Sequence, residues 1–168
     1  MLTEQLAVEV AAEIDSLLGR GSSDDIDLEA IETAARRQVP GLAARAIEQR
    51  INADSSDYAG THLPCGCGEQ ARYAGRRAKS FQSVLGELKL QRAYYHCRAC
   101  STGFCPRDLK LRIEKTCLSP AVSRMVGRVG AMVSFEEGSQ LLEELAGLRI
   151  DASQVERGGV LGRGDCRR

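Results

Sequence analysis

PCGCGEQARYAGRRAKSFQSVLGELKLQRAYYHCRAC, residues 64–100, opens and closes on a pair of cysteines, and its reading decides the fold. Cys65 and Cys67 are separated by one residue, Cys97 and Cys100 by two, and 29 residues lie between the pairs. Within that interval Tyr73, Phe81, Val84, Leu88, Leu90, Tyr94 and Tyr95 fall on segments without helix caps, a pattern that favours strands. In LGEL, Gly86-Glu87 has the chemistry of a two-residue type II′ hairpin loop, with Gly first. The cysteine pairs then stand at the two ends of one hairpin, on its outgoing and returning arms. If Leu85 pairs with Leu88, Cys97 falls opposite Arg76, and the outgoing arm is the longer one. The surplus has to be absorbed near GRRAK, 75–79, by a bulge, a loop or a short extra strand.

Zinc prefers four thiolate or imidazole ligands in a tetrahedron, and a close cysteine pair on a turn aims two sulfurs at one point. Gly66 and Gly68 flank Cys67 and permit a tight turn whose amides can donate to the sulfurs. The expected ligands are therefore Cys65, Cys67, Cys97 and Cys100, and the expected cofactor is a structural zinc. A closed four-cysteine site contributes folding energy and leaves no open position for catalysis. C-x-C is tighter than the usual C-x-x-C, so His62, His96 and Cys105 stand as alternative ligands, above all for that pair. Redox chemistry at Cys97 and Cys100 would call for a thioredoxin-like βαβ pattern, which the sequence lacks. Cys117 and Cys166 have no partner at ligand spacing and read as small buried apolar residues.

The formal net charge is zero, but the sum conceals a strong asymmetry. Residues 1–61 hold five Arg/Lys against twelve Asp/Glu, residues 62–112 ten against three, and the remainder eight against eight. The cysteine-bearing segment is the basic one. Its Arg72, Arg76, Arg77, Lys79, Lys89, Arg92 and Arg98 are candidate phosphate contacts, because cations at this density neutralise phosphates and release counterions. The interleaved tyrosines could stack on splayed bases, but packing of a small core is the better-supported reading for them. At 43% hydrophobic and 27% charged, the composition is that of an ordinary soluble domain. No apolar run approaches the ~20 residues of a membrane span, and the N-terminus lacks a basic n-region. The expectation is a cytoplasmic protein, without a membrane partner, whose thiols stay reduced.

Helices flank the basic segment. Leu6, Val10, Ile14, Leu17 and Leu18 recur at helical spacing over 3–18, closed by Gly19. A second amphipathic stretch from Ile26 must break or kink at Pro40 before Leu42, Ala46, Ile47 and Ile51 resume the pattern. Ser119-Pro120 opens a helix to about 133, and Ser134 with Glu137 forms a capping box for a helix ending at Gly147. Asp151 and Gln154 repeat the start signal, giving the outline of a helix-turn-helix. The expected fold class is α+β: N-terminal helices, a central zinc β-ribbon, and C-terminal helices with a helix-turn-helix outline. Its expected parts are an acidic helical region, 1–52; a linker, 53–61; the basic zinc ribbon, 62–112; a helical region, 113–157; and an aperiodic, disordered tail, 158–168.

The order of cysteine pair, GRR arm, LG turn, RAYYHC, FCPRD, LSP, FEEG, ELAG and QVER resembles the N-terminal region of bacterial insertion-sequence transposases of the Kra-four type. The likeness runs over about 1–157 and is least specific in the acidic helices. It implies that the ribbon and the helix-turn-helix bind the terminal inverted repeats of a mobile element, while a later RNase H-like domain performs catalysis. It supports the four cysteines as zinc ligands and places QVER, 154–157, at the start of the recognition helix, so Ser153, Gln154 and Arg157 join the candidate DNA contacts. Where the family continues as a long helix, this chain reads GGVLGRGDCRR, and each glycine in a helix costs ~1 kcal/mol relative to alanine. The expectation is a truncated copy, without catalytic residues or enzyme activity, that binds DNA. The alternative is a zinc-stabilised regulatory or interaction module whose acidic helices bind a partner, either a second copy or an intact transposase.

Overall fold

The computed structural model describes residues 27–150 and, before them, the helical positions Glu4, Val8, Glu9, Ala11, Ala12, Asp15 and Ser16. The mixed α+β class is as expected. In chain order the continuous elements are α1 (Leu28–Ala53), β1 (His62–Pro64), β2 (Gln70–Ser83), β3 (Gly86–His96), β4 (Gly103–Phe104), α2 (Pro106–Leu111), α3 (Pro120–Gly130) and α4 (Phe135–Ala146). The strands form one antiparallel sheet in the order β1-β2-β3-β4, each hydrogen-bonded to its neighbour in sequence.

The long β2–β3 hairpin has a different register from the one anticipated. Ser83 pairs with Gly86 and Phe81 with Leu88, so the loop is Val84-Leu85 and Gly86 begins the returning strand. The Ser83 side chain sets this turn: its hydroxyl accepts from the Leu85 amide at 3.1 Å and donates to the Gly86 carbonyl at 2.8 Å. A bulge does occur, between Tyr73 and Arg76, where Ala74 and Gly75 together oppose Tyr94. With the turn moved back and one residue absorbed there, Arg72 pairs with His96 and most of the anticipated surplus disappears. Gly75 takes φ +94°, a conformation that costs a side-chain-bearing residue about 1–3 kcal/mol. Gly75→Ala is accordingly expected to lose about that much in a denaturant titration; an unshifted midpoint would show that the bulge does not depend on this backbone geometry.

The bulge also switches the facing of β2, so that Phe81 lies on the face of Leu88 while Tyr73 lies on the face of Tyr95, and both faces of the sheet are buried in part. Side chains alternate along a strand, so Leu88, Leu90 and buried Arg92 share one face of β3, and Ala93, Tyr95 and Cys97 share the other. On the first face Leu88 and Leu90 join Phe81, Ile113 and Ala44 of α1 in one cluster. On the second, Tyr95, Ala93, Ala71 and Cys97 form another, with Tyr73 and Phe104 packed against it. A third cluster, Leu118, Val122, Val126, Leu142, Leu148 and Ile150, holds α3 against α4. The expected tyrosine core is thus realised in Tyr95, whose hydroxyl donates to the Gly60 carbonyl and accepts from the Ala59 amide.

Helix α1 continues through Pro40 without a break, and each half has its own anchor. Arg36 donates to the Glu144 and Leu145 carbonyls at the end of α4, while Ala44 and Ile51 pack on the sheet. The stretch 53–61, expected as a linker, is mostly exposed but carries contacts to the sheet. Asp57 is 4% exposed, and Tyr58 meets the Tyr73 ring edge-on at 4.8 Å. At the other end Ser119 caps α3, which stops at Gly130, three residues short of the expected limit. Ser134 and Glu137 form the capping box of α4, and Gly147 closes it at φ +65°. The helix expected from Asp151 and the tail 158–168 lie outside the described residues. Among the described residues no helix is long and apolar enough to cross a membrane.

Candidate metal centre

Each cysteine pair occupies a hairpin turn, and the two turns lie at the same end of the sheet. The β1–β2 turn closes through Cys65 N to Glu69 O at 2.7 Å and Gly68 N to Cys65 O at 3.0 Å. The β3–β4 turn closes through Cys97 N to Thr102 O at 2.8 Å. Because β2 and β3 are paired neighbours, the turns face each other and all four sulfurs lie within 4.8 Å of one another. The short approaches cross between turns: Cys65 Sγ to Cys100 Sγ is 3.6 Å, and Cys67 Sγ to Cys97 Sγ is 3.7 Å. All four are free thiols, far beyond the ~2.05 Å of a disulfide bond. Such a donor set can hold a metal ion.

Cys97 is fully buried, and Cys65 packs on the same apolar cluster, so half of the site is fixed by core packing. Cys67 and Cys100 are exposed. The thiols are electrostatically unequal. Hydrogen bonds from the Thr102 hydroxyl and amide, then from Cys65 and Cys67, draw Cys100 down to about 6. At Cys67 the Glu69 amide favours the thiolate, but Cys100, Cys65, burial and Cys97 together push it up to about 12. Because the sulfurs adjoin, a thiolate on one disfavours ionisation of the next, and a bound cation would relieve that opposition. The alternative ligands stay outside: His62 Nδ1 pairs with Thr61 Oγ1 at 3.1 Å, His96 is half-buried on β3, and Cys105 is buried at the start of α2. Among the described residues the only cluster with metal-ligand geometry consists of the four cysteines. Cys117 also lies apart from it, and its carbonyl accepts from the Gln82 amide.

The seven basic candidates on the ribbon divide by environment. Arg72, Arg77, Lys89 and Arg98 are exposed. Arg72 stands between His62 on β1 and His96 on β3, and the Arg77 guanidinium lies 3.6 Å over the Tyr94 ring. Arg76, also exposed, pairs with buried Asp57 at 3.1 Å. Arg92, 7% exposed, holds Asp108 at 2.5 Å, and Lys79 lies 3.9 Å from the same carboxylate. The charges of Arg92 and Lys79 are thus engaged by Asp108 inside the fold. Ser153, Gln154 and Arg157 lie outside the described residues.

Three residues that sequence reasoning missed hold this architecture together. Asp57 receives Arg76, Arg107 at 3.2 Å and the Ala93 amide at 2.7 Å. Arg107 donates to the Ile51 and Asp54 carbonyls, closing the C-terminus of α1 where a cation opposes the helix dipole favourably. Asp108 is the counterion of Arg92. The signal was present in FCPRD, where opposite charges sit side by side within a short segment that Pro106 starts as a helix. Neither protein-family models nor curated proteins give a match to the chain.

Proposed function

We propose that the chain is a DNA-binding module in which one structural zinc, held by Cys65, Cys67, Cys97 and Cys100, locks two hairpin turns together and presents the basic ribbon to the phosphate backbone. The observation that carries this reading is the convergence of the four thiols. Zn–S bonds of ~2.3 Å in a tetrahedron place the sulfurs ~3.8 Å apart, close to the 3.6 and 3.7 Å separations found across the turns. The site is closed and all-sulfur, which suits a structural role. Arg72, Arg77, Lys89 and Arg98 supply exposed cations that enter no ion pair among the described residues.

The likeness to Kra-four-type transposases gives the proposal its ligand, the terminal inverted repeats of an insertion sequence. The interaction-module reading draws less support, because α1 already uses Glu48 and Asn52 to pair the Lys89 and Gln91 backbone at the free edge of β3. Binding is tested by titrating the zinc-loaded chain with inverted-repeat and random duplexes over a range of salt. With about four phosphates contacted, the slope of log K against log salt is expected near −3.6, with tighter binding to the repeat. Equal, weak affinity for both duplexes would refute the specific reading, and no salt-dependent binding at all would refute DNA as the ligand.

A further inference from the structure

On the face of the sheet that carries Arg77 and Tyr94, a cleft of about 710 Å³ runs between the ribbon and the segment after α2. Its charge is unbalanced. Two cations with little exposure, Arg92 and Lys79, meet one buried carboxylate, Asp108, and Arg92 Nε and Asp108 Oδ1 each have no hydrogen-bond partner. Exposed Arg77 and Lys115 also line it, opposed only by exposed Glu114, so the lining carries two positive charges in excess. Surplus buried charge is costly unless it is shed or met by a counterion. Burial pulls the Lys79 ammonium below its ordinary range, with Asp108 opposing that shift and Arg92 adding to it.

The cleft is also built to hold its cations in place. The Tyr94 ring supports the Arg77 guanidinium, and a Cβ on Gly103 would fall 1.9 Å from the Tyr94 hydroxyl, so only glycine lets the ring lie as it does. Arg92 is fixed by Asp108 and by the Ala78 carbonyl at 3.3 Å. A planar guanidinium held in this way is a preorganised donor to tetrahedral oxyanions.

We propose that this cleft is a phosphate-binding site, with Arg77 and Lys115 at its mouth as the direct contacts, Arg92 and Lys79 supplying the field behind them, and a nucleic-acid backbone as the source of the phosphate. The source rests on the DNA-binding reading above; the phosphate does not. The test is ¹⁵N NMR of the full zinc-loaded chain titrated with inorganic phosphate against chloride of matched ionic strength. The Arg77 and Arg92 Nε–H signals are expected to shift saturably with phosphate alone. The exposed double variant Arg77→Gln/Lys115→Gln should weaken this binding roughly tenfold or more, while Arg124→Gln, an exposed position on α3, leaves it unchanged. No saturable shift beyond chloride, or an affinity indifferent to the double variant, would overturn the site. A DNA duplex should then move the same signals, and the double variant should lower the salt slope by about two. Phosphate binding with a duplex that leaves these signals still would overturn the nucleic-acid source alone, and failure of every duplex to bind would count against the DNA reading while the phosphate titration still decides the cleft.

Discussion

Replacing Cys97 by serine is expected to strip the chain of zinc and unfold the metal end of the ribbon. Cys97 has no solvent exposure and sits among Ala71, Ala93 and Tyr95, so its sulfur belongs to the core as well as to the proposed metal site. A serine hydroxyl is a poor zinc ligand, and the three thiols left behind cannot close a tetrahedron. Structural zinc sites contribute apparent binding energies of about 10–16 kcal/mol. That matches or exceeds the ~5–15 kcal/mol by which whole domains are stable. Metal analysis should therefore find a zinc-free variant, with strand signal and cooperative melting largely lost by circular dichroism. Cys105→Ser provides the contrast: it should retain metal, since Cys105 lies at the start of α2 outside the cluster. Stoichiometric zinc in the Cys97 variant would refute the assignment.

The second large effect is expected at Asp57. Truncation to alanine removes the carboxylate from Arg107, whose side chain is 6% exposed, and from Arg76, which is 30% exposed. The Ala93 amide loses its acceptor in the same step. Breaking a buried ion pair from one side costs about 3–5 kcal/mol, because the partner charge stays buried. Most of that should come from Arg107, since solvent screens Arg76. Asp57→Asn, which keeps an oxygen for the Ala93 amide, should be the milder change. Denaturant titration of both variants measures this, and a loss below about 1 kcal/mol for Asp57→Ala would mean that Arg107 is satisfied by the α1 carbonyls alone.

The features legible in the sequence are those written by local chemistry. Ser119-Pro120, the Ser134–Glu137 box and Gly147 each terminate a helix through atoms within a few residues of themselves, and the structure shows all three. The cysteine pairs were legible for the same reason, since each pair lies within one tight turn and the hairpin connecting them needed only strands. What escaped was set by contacts between distant segments. Gly86 looked like the first residue of the loop, yet the Ser83 hydroxyl draws the turn back and leaves Gly86 to start β3 at φ +112°. Arg92 and Lys79 look like Arg72 and Arg98 on the page. Only the register of the hairpin, which sets them on the face of Leu88 and Leu90, and the arrival of Asp108 engage their charges inside the fold. Asp57 stood in a polar run without periodicity, where nothing local marks one aspartate as buried. At Pro40 the sequence left a break or a kink open, and anchors on both halves of α1 keep the helix continuous there.

The central claim is that four thiolates from two hairpin turns hold one zinc, and X-ray absorption at the zinc edge of the purified, zinc-loaded chain tests it most directly. The account predicts a single shell of about four sulfurs at ~2.3 Å, with no nitrogen or oxygen ligand. A first shell containing a histidine nitrogen or a water oxygen at ~2.0–2.1 Å would contradict it, returning His62 or His96 to the ligand set and opening a coordination position that a purely structural site does not have.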